Sequence, residues 1–116
     1  MKTITLYRPV GAKELELIKS MDYKKFPPRL PEQHNLYSVL NKDYVMEIAK
    51  EWNIKASAFC CVTKFAIKSD YIAKYEIQTV GSLISQEYWI PAKELEEFNQ
   101  NIVAPIEVIA EFHSNI

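Results

Sequence analysis

Only two glycines, Gly11 and Gly81, occur in 116 residues. That scarcity removes two families of nucleotide site at the outset. P-loop and Rossmann phosphate loops need several closely spaced glycines so that backbone N–H groups can approach the phosphates. This chain builds neither, so any nucleotide it handles sits in another geometry.

The remaining pattern predicts a single α+β domain over residues 1–116 with its strands clustered in the second half. Thr3–Arg8 alternates, with Ile4, Leu6 and Arg8 on one face, and Pro9 and Gly11 are expected to break that strand. Leu15, Ile18 and Met21 have helical spacing, which predicts a helix over Ala12–Met21. Phe26-Pro27-Pro28-Arg29-Leu30-Pro31 cannot be helical and is expected to form an ordered wall or lid over a cleft. Asn41 suits the N-cap of a second helix whose apolar face runs through Tyr44, Val45, Ile48, Ala49 and Trp52. Phe59–Ile67 reads as a strand covered on both faces. Tyr75–Val80 and Gln86–Ile90 read as strands joined by a turn at Gly81-Ser82, and Pro91 opens a short helix carrying Leu95, Phe98 and Ile102. Ile106–Phe112 closes the chain as a strand with Ile106, Val108, Ala110 and Phe112 inward.

Fourteen basic against fifteen acidic residues give a net charge of −1. Basic residues between Lys19 and Lys42 are interleaved with acidic ones, so nucleic acid is not an expected partner. No apolar run approaches the roughly 20 residues that span a bilayer, and a soluble, cytoplasmic protein is expected, without membrane association. Cys60 and Cys61 are adjacent, which points them to opposite faces of a strand and excludes an unstrained disulfide between them. His34 and His113 stand far apart and no CxxC occurs, so no metal is expected. Glu94, Glu96 and Glu97 read as a solvated helix face.

Two charged residues demand partners. Arg8 lies on the core face of the first strand, and an arginine there needs an anion, since stranding its charge costs several kcal/mol. Glu87 opens an aromatic strand, Glu87-Tyr88-Trp89-Ile90. Either Glu87 is the structural partner of Arg8, or it is a catalytic carboxylate beside an anion that Arg8 binds. Tyr44, Tyr88 and Trp89 offer core or stacking surface.

Leu6-Tyr7-Arg8, then Tyr37-Ser38 ahead of a helix, then Glu87 entering a late strand resemble the Arg…Ser…Glu order of the ADP-ribosyltransferase-like fold. The resemblance implies a small split-sheet domain with about three short helices. It also implies a cleft for NAD or ADP-ribose, with NAD as substrate and no metal. There Arg8 would grip the phosphates, Tyr37 and Ser38 would lie at the nicotinamide ribose, and Glu87 would stabilise an oxocarbenium-like transition state. The partner would then be a small-molecule nucleotide or a protein acceptor. The whole chain is similar to a group of small bacterial proteins known as ADP-ribosylation/J-crystallin proteins, through LYRPVG, FPPRLP, YWIPAKELEEFN and IVAPIEVIAEF. The helical ADP-ribosylglycohydrolase fold is not implied, because Asp22, Asp43 and Asp70 are widely separated. A second reading is a non-catalytic protein-interaction module that keeps the same fold without turnover.

Overall fold

A computed structural model describes residues 2–28, 35–56, 59–79 and 85–112, with 52–56 described by their backbone. The chain is α+β, built on one six-stranded antiparallel sheet. Its strands are β1 (Thr3–Gly11), β2 (Asn35–Val39), β3 (Cys60–Lys68), β4 (Ile77–Thr79), β5 (Gln86–Pro91) and β6 (Glu107–Phe112). Their spatial order is β4-β5-β2-β1-β3-β6. The helices are α1 (Ala12–Ser20), α2 (Lys42–Ala56), α3 (Ser69–Ile72) and α4 (Leu95–Gln100), with a 3-10 turn at Ala92–Glu94 before α4.

Strand β1 pairs antiparallel with both β2 and β3, so those two run the same way and α2 is the crossover between them. Asn41 starts that crossover as the sequence predicts, its Oδ1 accepting the Tyr44 N–H at 2.9 Å. Helix α2 covers one face of the sheet, where Val45 and Ala49 pack on Val39, Cys60 and Val62. The opposite face carries the larger core. There Leu15 and Ile18 of α1, Ile72 of α3 and Leu95 and Phe98 of α4 meet Leu6, Val10, Leu36, Phe65, Ile67, Tyr88 and Ile90. Phe26 joins this core edge-on to Phe65. The alternation along β3 works as expected, with Cys61, Phe65 and Ile67 in the large core and Cys60 and Val62 under α2.

Several expectations are corrected. Pro9 and Gly11 do not break β1, which pairs with β3 from Thr3↔Lys68 to Gly11↔Cys60. Pairing with β2 occurs only at Tyr7↔Val39, so beyond Tyr7 the β2 side of β1 behaves as an edge, where proline is tolerated. Strand β6 does not keep one inward face. Val62 opposes Ala110 while Thr63 opposes Val108, leaving Ile109 as an extra residue. This bulge sends Ile106 and Val108 into the large core but Ala110 and Phe112 under α2. Strand β2 and helix α3 are elements that the sequence pattern does not signal. The Gly81-Ser82 turn, His34, His113 and the Arg29–Pro31 end of the proline segment lie outside the described residues. No helix among the described residues is long and apolar enough to cross a membrane.

Candidate functional site

Helix α1 follows β1 without a loop, so its first turn folds back against the strand end. Side chains on a helix lean toward its N-terminus, and Glu14, in that first turn, reaches Arg8. Arg8 is 5% exposed. Its Nε donates to Glu14 Oε2 at 2.9 Å and its Nη2 to Glu14 Oε1 at 3.0 Å, a forked ion pair. Its Nη1 donates to the Tyr37 carbonyl at 3.1 Å, bridging the seam where the β1–β2 ladder is interrupted. The anion required by Arg8 is therefore Glu14, six residues along the chain, and not Glu87.

Glu87 lies on the other side of the sheet. The register Tyr7↔Val39↔Glu87 sets these three side chains on the α2 face, and Arg8, next to Tyr7, points to the opposite one. Arg8 and Glu87 share neither a cleft nor an ion pair. The four sequence candidates fall into two pairs. Arg8 and Ser38 are buried on the large-core face, where the Ser38 hydroxyl has no hydrogen-bond partner among the described residues. Glu87 and Tyr37 face the α2 side.

The Glu87 carboxylate is held by two neutral donors. The Tyr44 hydroxyl, from the first turn of α2, donates to Oε2 at 2.7 Å, and the Trp89 indole N–H donates to Oε1 at 3.0 Å. Burial and then the bond to Glu87 push the Tyr44 hydroxyl up to about 12, so it remains a donor throughout the neutral range. Trp89 stands edge-on to Tyr37, with ring centroids 5.9 Å apart, and both rings are exposed. Tyr88 is core. The two cysteines are free and buried, and burial pushes their thiols up to about 11 and 12. Glu94 and Glu97 are not simply solvated. Glu94 accepts from Tyr75, and Glu97 accepts from Lys74, whose ammonium lies over the Tyr71 and Tyr75 rings.

A recess lies elsewhere. A cleft of about 760 Å³ opens between the 21–28 segment and the turn leading into α4. Phe26 and Pro28 form one wall, as the proline segment predicts, and Leu95 and Asn99 form the other. Lys24, Lys25 and Lys93 stand around it with Glu96, and no carboxylate pairs with these lysines among the described residues. The sequence marks Lys24 and Lys25 only as basic residues beside the proline segment, and nothing there signals Lys93. The cleft wall is fastened by one amide: Asn99 Oδ1 accepts the Phe26 N–H at 2.9 Å and Asn99 Nδ2 donates to the Phe26 carbonyl at 3.0 Å. Asn99→Ala is expected to lower stability by about 2 kcal/mol, because both backbone groups of buried Phe26 lose their partner. Urea unfolding measures this, and a midpoint equal to wild type contradicts it.

Comparison of the chain with protein-family models, with curated proteins and with solved structures returned no match. The likeness to the ADP-ribosyltransferase-like fold is thus carried by the sequence residues alone. Among the described residues no group of three or more His, Cys, Asp or Glu side chains gathers as a metal would require.

Proposed function

We propose that this chain is a binding domain for an anionic ligand of the nucleotide class, with NAD and ADP-ribose as the leading members, held in the cleft between Phe26 and α4. The observation that carries this reading is the set of three lysine ammonium groups around one amphipathic recess. Its volume suits a small molecule, and Met21, Pro28 and Ala92 offer apolar surface to a base or ribose. Lysines supply point charges for phosphate where the forked guanidinium of Arg8 is already committed to Glu14.

Binding, rather than ADP-ribosyl transfer, is the activity proposed. Transfer would need a carboxylate at the reacting anomeric carbon. Glu87, which the Arg…Ser…Glu order assigns to that role, faces α2, across the sheet from the cleft. The carboxylate at the cleft itself, Glu96, is an exposed side chain on α4.

Thermal denaturation with NAD, ADP-ribose and inorganic pyrophosphate tests the reading. Ligand at one hundred times its dissociation constant stabilises by about 2.7 kcal/mol, a rise of several degrees in melting temperature. The triple variant Lys24→Gln, Lys25→Gln, Lys93→Gln should melt like wild type without ligand, since all three side chains are exposed, and should lose the ligand-induced rise. No rise with any of the three compounds at millimolar concentration, or an undiminished rise in the triple variant, overturns it.

A further inference from the structure

We infer that the Tyr37–Trp89–Glu87 corner on the α2 face is a docking surface for an arginine side chain presented by a basic peptide segment of a partner protein. This surface is separate from the lysine-lined cleft and does not depend on it.

Three observations converge here. First, the Glu87 carboxylate is held in position by Tyr44 and Trp89, yet no cation pairs with it among the described residues. A carboxylate has about four acceptor sites, so one donor on each oxygen leaves capacity on both for a forked guanidinium. Second, the rings beside that carboxylate are exposed, Tyr37 at 44% and Trp89 at 40%, although large aromatics are ordinarily covered. A guanidinium is planar and weakly hydrated, and it stacks on such rings while forking to a carboxylate, which a lysine ammonium does less well. Third, three carboxylates, Glu87, Glu47 and Glu51, act on the Tyr44 hydroxyl and help to hold its proton. The corner is thus acidic as well as aromatic, complementary to a basic segment.

The geometry also selects a peptide over a free small cation. Tyr37 and Trp89 are exposed neighbours on paired strands, and the cleft beside Phe26 is lined by other residues. A small cation on an open surface keeps most of its water and gains little, whereas a peptide adds contacts along the strand pair.

Fluorescence anisotropy of labelled hexa-arginine tests the inference with the full chain. Wild type should bind it, and Glu87→Gln and Trp89→Ala should each weaken binding at least tenfold. Tyr37→Ala, at an exposed position that leaves folding intact, should weaken it several-fold and decides the matter if the other variants fail to fold. Hexa-lysine should bind several-fold more weakly than hexa-arginine. Glu16→Gln, an exposed carboxylate on α1 across the sheet, should leave binding unchanged. Three outcomes overturn the inference: Tyr37→Ala and Glu87→Gln within twofold of wild type, an equal loss in Glu16→Gln, or equally tight competition by free methylguanidine.

Discussion

Glu14→Gln is expected to lower stability by about 3–5 kcal/mol, because it leaves the Arg8 guanidinium buried without its carboxylate. Arg8 would keep its bond to the Tyr37 carbonyl and its place over the Phe26 ring, but the neutral amide at position 14 accepts at one oxygen only and carries no compensating charge. A domain of this size has roughly 5–15 kcal/mol in total, so the loss should lower the melting temperature by about 10 °C or more. The same change should disturb the β1–β2 seam, since Arg8 bridges the two strands there. The double variant Arg8→Met, Glu14→Leu should be more stable than Glu14→Gln, because it removes the stranded charge along with its partner. A Glu14→Gln variant that melts like wild type would show that solvent reaches the guanidinium. If instead Glu87→Gln proves the more destabilising of the two, the assignment of Glu14 as the partner of Arg8 falls.

Phe98→Ala is the second large effect, expected at about 3–5 kcal/mol from lost burial and the cavity left behind. Phe98 is fully buried, with ring centroids 5.8 Å from Phe65, 6.5 Å from Phe26 and 6.3 Å from Tyr71. It therefore joins α4, α3, β3 and the proline segment through one side chain. Because Asn99, its neighbour in sequence, fastens Phe26, the substitution should loosen the cleft wall as well as the core. Urea denaturation gives the stability change, and Ile109→Ala at the exposed bulge is the control, expected within about 0.5 kcal/mol of wild type. A Phe98→Ala loss no larger than that of Ile109→Ala would refute the account of this aromatic cluster as the centre of the large core.

Local features of this sequence specify their structure directly, whereas long-range ones do not. The alternation in β1 and β3 and the cap at Asn41 are local, set by a period of two or by one side chain bonding three residues on. Strand β2 is five residues long and exists because β5 pairs along its whole length, which no feature of Asn35–Val39 announces. The face occupied by the end of β6 depends on one extra residue opposite β3, and a bulge of that kind is decided by pairing.

The sequence by itself determined an α+β chain lacking glycine-rich phosphate loops, with adjacent cysteines on opposite strand faces and a core-directed arginine that had to meet an anion. Those properties follow from composition, from side-chain periodicity and from the cost of burying charge, all of which act locally. Which anion Arg8 meets was decided only by the tertiary structure, through the loopless turn from β1 into α1 that brings Glu14 back to the strand. Tertiary structure also decided that Arg8 and Glu87 face opposite ways. Strand order and register set the face of every side chain relative to its neighbours, and one residue of register turns a shared cleft into two separate surfaces.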